Sequence, residues 1–560
     1  MKEIKHLYTK EGKDLTGEEY NVYPRPQLKR NSFFSLNGEW DLVFDSGESA
    51  KINVPYPPES ILSGVFKNLG KDPTYTYKKS FNLPEGFIKD RIILNFGAVD
   101  QICKVYVNDR FVGENVGGYN HFSFDITEFL QESNVVSVRV WDKLSNKELP
   151  YGKQRYRRGG MWYTPVSGIW QSVWLESVPK EYVKALTVTT NGDKATILFE
   201  GARDGELALS TENGVQAYQI ANGVCEIQLK SPHMWSPADP YLYYFTARLG
   251  DDEISSYFAF RTLEIKEVGG FARLCLNGEP YFFHGVLDQG YFSDGIYTPA
   301  TPNLYRQDIL RMKELGFNTL RKHIKIEPDI FYYECDKLGM IVFQDFVNNG
   351  SYSFIRDTAL PTVLTKKLPQ WLMLRSKREK LCFRNGLEKT VKQLFNHPSI
   401  CYWTIFNEGW GQFDSDEMYE FLRKLDSTRF IDSTSGWFKK KKSDVESLHI
   451  YFKAVKLKKS EKPIVLSEFG GYSYKVKGHV ANEIKTYGYK LYKDRAEFQN
   501  GLSRLYLDEI VPSIKNGLCA SIYTQLSDVE DETNGLLTYD RKECKVDKDA
   551  MLEIAEKLKI

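Results

Sequence analysis

The sequence predicts a multidomain β and α/β chain: a jelly-roll β-sandwich, then an immunoglobulin-like β-sandwich, then a (β/α)8 TIM barrel. Three observations carry this. The 560 residues suffice for about three to five domains. Up to about residue 265, apolar and polar residues alternate at period two between turn residues. After Lys266, strand-like runs alternate with stretches whose apolar residues recur at three and four.

Residues 1–180 form the first unit, with strands expected at 40–44, 75–81, 91–96, 104–107, 135–141 and 170–175. Asn37-Gly38 and Asn108-Asp109 supply turns, and the size suits a jelly roll. Residues 181–265, with strands at 195–200 and 241–249, have the length of an immunoglobulin-like sandwich. In residues 266–560 a first strand at 281–287 precedes helix 304–315 and strand 318–321, then helix 328–337 and strand 340–345. Helix 375–395 leads into strand 400–406, helix 416–426 into 430–433, and helix 496–515 into 519–524, with a further apolar run at 463–466. No glycine-rich dinucleotide fingerprint opens the first βα unit, which favours a closed barrel over an open sheet. Chemistry in such a barrel sits at the C-terminal ends of the strands.

Composition narrows the partners. Seventy-five basic against 74 acidic residues leave a net charge of +1, so neither nucleic acid nor a membrane is expected as a partner. The charged N-terminal stretch never reaches the roughly 7–15 apolar residues of an export signal, and no run approaches the ~18 that span a bilayer. Eight dispersed cysteines without C-x-x-C spacing read as reduced, mostly buried thiols of a cytoplasmic protein. With no His-Glu-x-x-His or EF-hand spacing and no phosphate loop, no catalytic metal and no cofactor are expected. The lysine run 439–442, with Lys456, Lys458 and Lys459, reads as solvated surface.

Two strand ends stand out. The apolar run 400–406 ends in Asn407-Glu408-Gly409-Trp410, and 464–466 ends in Ser467-Glu468-Phe469-Gly470-Gly471. Two carboxylates facing each other across a barrel mouth are what glycosidic bond cleavage requires. The adjacent glycines are expected to let a substrate approach the backbone.

These segments resemble glycoside hydrolase family 2, the β-galactosidase, β-glucuronidase and β-mannosidase group. The likeness runs through Leu36-Asn-Gly-Glu-Trp40, Gly168-Ile-Trp-Gln-Ser-Val-Trp-Leu-Glu176, Trp235-Ser-Pro-Ala-Asp-Pro-Tyr-Leu-Tyr243, Gly316-Phe-Asn-Thr-Leu-Arg321, Asn396-His-Pro-Ser-Ile400 and both glutamate segments. It implies that Glu408, on the fourth barrel strand, is the general acid/base and Glu468, on the seventh, the nucleophile. Asn407 is then expected to bond the sugar 2-hydroxyl, Arg321 to hold the Glu468 pKa down and Tyr451 to orient it. Asp288, Gln289, His323, Asp345, Trp437, Tyr523, Gln525 and Asp528 ring the same mouth by position, and Trp410 and Trp437 are candidate stacking platforms.

The expected activity is that of a retaining exo-β-glycosidase removing terminal β-linked sugars from oligosaccharides or glycosides by double displacement, its carboxyl groups roughly 5–5.5 Å apart. The sugar stays open. Gly285-Val-Leu-Asp-Gln-Gly290 departs from the galactosidase-like pattern, as does the short Arg321-Lys-His323 spacing, and Asn534-Gly-Leu-Leu-Thr-Tyr539 lacks the glucuronidase-like Asn-x-Lys. Val342-Phe-Gln-Asp-Phe346 is similar to mannosidase-type members. A β-galacturonidase or other uronidase is an alternative, with Lys322, His323, Lys325 and Arg356 as sources of positive charge. Transglycosylation and a non-catalytic carbohydrate-binding protein on the same scaffold are others. The first domain is expected to shape the pocket, and homo-oligomerisation stays open.

Overall fold

The computed structural model describes residues 5–70, 72–359, 375–439 and 441–560. In the first sandwich a six-stranded antiparallel sheet runs in the order Ser49–Val54, Gly38–Phe44, Thr74–Phe81, Asn134–Trp141, Ile102–Val107, Arg110–Val116. It packs on a four-stranded sheet of Phe33–Ser35, Val173–Val178, Arg91–Phe96 and Phe122–Asp125. Alternation does this work: Tyr75, Tyr77, Val136, Val138 and Val140 all turn inward to meet Ile92, Leu94 and Phe96. Asn108 and Asp109 both take positive φ (52° and 60°), the turn this dipeptide predicts, and join 102–107 to 110–116 as a hairpin. The strand expected at 170–175 begins instead at Val173, because Trp170 leaves the sheet to pack against Tyr297 of the third domain (5.0 Å between rings).

The second sandwich pairs a three-stranded sheet (Ala185–Asn191, Lys194–Glu200, Val224–Gln228) with a four-stranded one (Gly214–Ile220, Gly205–Thr211, Tyr243–Leu249, Asp252–Phe258). Ile197, Leu207, Leu209, Phe245 and Ile254 fill the space between them.

The third domain is an eight-stranded parallel near-barrel. Its strands are β1 (Phe283–Asp288), β2 (Thr319–Lys322), β3 (Ile341–Asp345), β4 (Ile400–Asn407), β5 (Phe430–Ser435), β6 (Glu446–Ile450), β7 (Ile464–Gly470) and β8 (Leu518–Thr524). Ladders join each strand to the next and β8 to β1; among the described residues none joins β5 to β6. Phe283, Leu287, Phe343, Tyr402, Phe430, Val465 and Ile522 fill the barrel interior. Outside lie α1 (Asn303–Glu314), α2 (Asp329–Leu338), α3 (Lys377–Leu394), α4 (Ser415–Leu425) and α5 (Arg495–Arg504).

Two elements differ from expectation. Strand β6, Glu-Ser-Leu-His-Ile, was not among the expected strands, because its polar residues give no apolar run. The helix expected over 496–515 breaks into α5, a π turn at Leu505–Ile510 and a short helix at Val511–Ile514. Pro512 explains the break: it has no N–H to donate, and its ring collides with the carbonyl of the preceding turn. In the lysine run, Lys442 pairs with Glu420 at 2.6 Å on the surface, while Lys440 lies outside the described residues. All eight cysteines are free, and among the described residues no helix is long and apolar enough to cross a membrane.

The sandwiches are joined by a buried charge network. Arg30 bonds Glu176 of the first and Asp252 of the second, both at 2.8 Å, with all three side chains at most 3 % exposed. Burial alone would raise the Glu176 carboxyl, but Arg25 and Arg30 outweigh it and hold it at about 2. A depressed carboxylate stabilises the fold fully above its unfolded value of roughly 4.3, and that contribution is lost as pH falls towards 2. Arg30→Ala is therefore expected to destabilise the sandwiches by about 3–5 kcal/mol at neutral pH. Thermal scans should show a lowered midpoint, and a smaller further drop between pH 4.3 and 2 than in the wild type.

Candidate active site

The barrel mouth is organised by Arg321, at the end of β2. Its guanidinium is 1 % exposed and donates in three directions. Nε donates to Asp345 Oδ1 of β3 (3.0 Å), Nη1 to Glu468 Oε1 and the Ser467 carbonyl of β7 (both 3.0 Å), and Nη2 to Asn407 Oδ1 of β4 (2.9 Å). A single planar cation thus sets four acceptors from three strands in one arrangement. Because Arg321 can only donate, the oxygen of Asn407 must face it, which leaves the Asn407 amide N–H groups free to point elsewhere.

Glu468 sits 5 % exposed within this frame. Its Oε2 accepts from Tyr451 Oη, which also contacts Thr524 Oγ1 at 3.1 Å, and Tyr451 stacks flat on Tyr489 (3.8 Å between rings). Burial pushes the Glu468 carboxyl up, but His449 and Arg321, then His323 and the Tyr451 hydroxyl, outweigh burial and hold it at about 2. It is an anion across the physiological range.

Glu408 follows β4 in the left-handed region (φ 52°), its backbone N–H bonded to the Ser435 carbonyl of β5 at 3.0 Å. A non-glycine residue held there carries local strain, and the turn swings its side chain over the mouth. His449 Nδ1 lies 2.8 Å from Glu408 Oε1 and 3.6 Å from Glu468 Oε2, and its Nε2 is 2.7 Å from Ser435 Oγ. Oxygens of the two glutamates and the His449 nitrogen all lie within 4.8 Å of one another, the spacing of a metal-ion cluster as well as of an acid–base pair.

The flanking glycines serve another purpose than the sequence suggested. A Cβ at Gly409 would strike Phe438 at 2.2 Å, one at Gly470 would strike Tyr523 at 2.4 Å, and one at Gly471 would strike Tyr489 at 2.3 Å. All three have positive φ, so they turn the chain and admit aromatic packing rather than a substrate.

The other expected site residues divide. Asp345 and His323 are in the mouth: His323 Nδ1 bonds Asp345 Oδ2 at 2.7 Å, and burial with the nearby Lys153 charge holds the imidazole down at about 4. Trp437 is half-buried and meets the His449 ring edge-on at 5.5 Å. Asp288 is not in the mouth. Strand alternation puts Leu287 inside the barrel and Asp288 outside, where Lys322 Nζ bonds it at 2.5 Å and Glu327 at 2.9 Å. Tyr523 likewise points outward into the helix layer, its ring against Phe469 and Tyr506 and its hydroxyl on the Tyr472 carbonyl at 3.4 Å. Gln525 is fully buried behind the mouth, accepting from Gln289 and donating to Glu532, each at 2.8 Å. Asp528 is buried on Lys545 at 2.6 Å. Trp410 is no open platform: at 2 % exposure it is covered by Trp162 (5.2 Å between rings).

The cations expected to give positive charge are already matched. Lys322 and Lys325 both bond Glu327 at 2.9 Å, His323 is paired with Asp345, and Arg356 with Asp357 at 2.6 Å. Three residues at the mouth escaped sequence reasoning: His449, Glu532 and Lys153. The first had a signal, since a strand end that directs Tyr451 inward directs His449 inward too. The other two sit in irregular segments without periodicity.

Comparisons with known proteins account for nearly the whole chain. Residues 22–179 match the sugar binding domain of glycosyl hydrolases family 2, residues 178–261 the domain named for the family itself, and residues 267–545 its TIM barrel domain. A β-galactosidase of Thermoanaerobacter pseudethanolicus is 26 % identical over 70 % of this chain and 53 % of its own length. A putative β-glucuronidase of Formosa agariphila is 26 % identical over 70 % of this chain and 49 % of its own. The chain thus spans about half the length of the curated relatives it matches. Among solved structures, a β-D-glucuronidase of Dictyoglomus thermophilum superposes with a TM-score of 0.74 over 96 % of this chain and 98 % of that one, at 18 % identity, a likeness of fold.

The Arg321 frame makes a direct prediction. Arg321→Met removes positive charge beside Glu468, so the Glu468 carboxyl should rise from about 2 towards the ordinary range. Carboxyl-carbon NMR titration of glutamate-labelled protein would read the rise, and an unmoved titration would refute the frame.

Proposed function

We propose that this chain, which belongs to glycosyl hydrolases family 2, is a retaining exo-β-glycosidase that removes terminal β-linked sugars from oligosaccharides or glycosides. The observation that carries the reading is the pair of carboxyl groups in opposite settings, within 4.8 Å of each other. That separation suits attack by one carboxylate on the sugar. An inverting pair stands roughly 6.5–9.5 Å apart to leave room for a water between them.

Glu468, held ionised, attacks the anomeric carbon while Glu408 gives its proton to the leaving oxygen; the carbon–oxygen bond breaks and a glycosyl ester forms on Glu468. Water then enters on the face the leaving group vacated. Glu408 takes a proton from it as the water oxygen bonds the anomeric carbon, which releases Glu468 and restores the β configuration. His449, bonded to Glu408 on one ring nitrogen and to the Ser435 hydroxyl on the other, holds the Glu408 carboxyl in place for both steps. Asn407, with its oxygen committed to Arg321, offers N–H to the sugar 2-hydroxyl, a bond that strengthens as positive charge develops at the neighbouring carbon. The eight free cysteines support a reducing compartment, the cytoplasm.

Two measurements test this. On a panel of nitrophenyl β-glycosides, Glu468→Gln should lose at least about 10⁴-fold in kcat. Glu408→Gln should lose about 10²–10⁴-fold, and less on leaving groups that need no proton. Proton NMR of the first product should show the β anomer; an α product would overturn the double displacement. Catalysis by two carboxylates also predicts full activity after exhaustive treatment with a chelator. Loss of activity restored by a divalent cation would instead place an ion among Glu408, His449 and Glu468.

A further inference from the structure

Lys153 reaches the barrel mouth from the first domain. It lies in the crossing loop after strand Asn134–Trp141, and that loop is fastened to the barrel at both ends. Tyr151 N–H donates to the Asn348 carbonyl (3.1 Å) and its hydroxyl to the Gly350 carbonyl (2.8 Å); Thr164 N–H donates to Glu530 Oε1 (2.8 Å). Arg158 holds Glu530 and Asp531 at 3.4 and 3.3 Å. Gly152 takes positive φ (65°), and a Cβ there would press on Tyr119 Oη at 3.0 Å and the Ile324 carbonyl at 3.1 Å, so glycine lets the backbone deliver Lys153 inward.

The ammonium so delivered has no acid of its own. Among the described residues Lys153 Nζ makes no hydrogen bond or ion pair; it rests 4.6 Å from the centre of the Trp410 ring, in a residue only 7 % exposed. The charges acting on it are, in order, those of Glu532, Glu468, Glu408 and Arg321, so it faces the reacting groups. Glu532, foremost among them, is turned to Gln525, and burial raises its carboxyl to about 7 against the pull of Lys153. At neutral pH that group is only partly an anion. A lysine ammonium buried against an aromatic ring and left without an oxyanion is costly, and a ligand that supplies one recovers the cost. Lys322, Lys325, His323 and Arg356 do not share this condition, since each already has a carboxylate partner.

We infer that Lys153 determines the substrate class of this site, binding the oxyanion carried by the terminal sugar, a β-linked uronic acid. This rests on the β-glycosidase reading above and names its sugar by charge. A sulfate ester on a neutral sugar would present the same oxyanion chemistry, and the test separates the two.

Hydrolysis is measured for wild type, Lys153→Met and Lys153→Arg on nitrophenyl β-glucuronide and β-galacturonide, on the matched glucoside and galactoside, and on a 6-sulfated galactoside. Calorimetric titration with free glucuronate and galacturonate runs alongside, with Glu468→Gln as the catalytically silenced protein. The wild type is expected to prefer one uronide over its matched hexoside. Lys153→Met should cost about 10²–10³-fold in kcat/KM on that uronide, at least tenfold more than on the hexoside, with partial recovery in Lys153→Arg. Preference for the sulfated sugar, lost in Lys153→Met, would keep Lys153 as the oxyanion site and replace the carboxylate by sulfate. Preference for a neutral hexoside, or equal losses on charged and neutral sugars in Lys153→Met, would overturn the inference and leave the glycosidase reading standing. Cleavage of nothing on the panel, with Lys153-dependent uronate binding by calorimetry, would do the reverse; absence of both would overturn both.

Discussion

The site depends on one buried guanidinium. Arg321 bonds Asn407, Glu468 and Asp345 together, through contacts of 2.9–3.0 Å on strands β4, β7 and β3. A barrel brings strand ends near each other but does not fix their side chains. A rigid fork with several donors does, because each acceptor is held in direction as well as distance. The arrangement suits burial: the cation is surrounded by Asp345 and Glu468, so neither charge is left uncompensated in the low-dielectric interior.

From this frame follows the difference between the two glutamates. Glu468 is wrapped on one oxygen by Arg321 and on the other by Tyr451, both donors, and every such bond favours the ion. Glu408 lies outside Arg321's reach, on a turn at the end of β4, where its partner is His449 rather than a permanent cation. Two like groups a few ångströms apart thereby meet different surroundings, which acid and nucleophile chemistry requires of a carboxyl pair. The strained backbone at Glu408 belongs to the same division, since an extended continuation of β4 would carry the side chain along the barrel wall instead of over the mouth.

Much of this was legible in the chain, and the illegible parts have physical reasons. Period-two alternation located most sandwich strands, and apolar runs ending abruptly in Asn407-Glu408 and Ser467-Glu468 located the carboxyl pair, because buried strands and their polar ends are local facts of sequence. Asp288 and Tyr523 were misread for one reason: position at a strand end does not tell which way a residue faces, and in both cases parity turned the side chain outward, to Lys322 and to Tyr506. Gly409, Gly470 and Gly471 were rightly singled out but wrongly explained, since what needs the space is Phe438, Tyr523 and Tyr489, residues distant enough that no motif links them. Strand β6 was missed because a short strand of mixed polarity leaves no apolar run, and without the strand the parity that sets His449 beside Tyr451 went unread.

Lys153 is the deepest case of this kind, for its meaning exists only across a domain boundary. Nothing in Tyr151-Gly-Lys-Gln154 marks it, and in the first sandwich alone it would be one more loop lysine. It acquires a role because the loop around it is pinned to Asn348, Gly350 and Glu530 of the barrel, and because Gly152 permits a backbone approach that any side chain would obstruct. The barrel supplies Arg321, Asn407 and the two glutamates, which read features common to many β-linked sugars: the anomeric carbon, the leaving oxygen and the 2-hydroxyl. The matched cations around it, Lys322 and Lys325, are spent on Glu327 and shape the barrel wall. An unmatched charge entering from another domain is free to vary without disturbing that machinery, so discrimination between sugars is most cheaply built there, on a loop whose anchoring is independent of the catalytic frame.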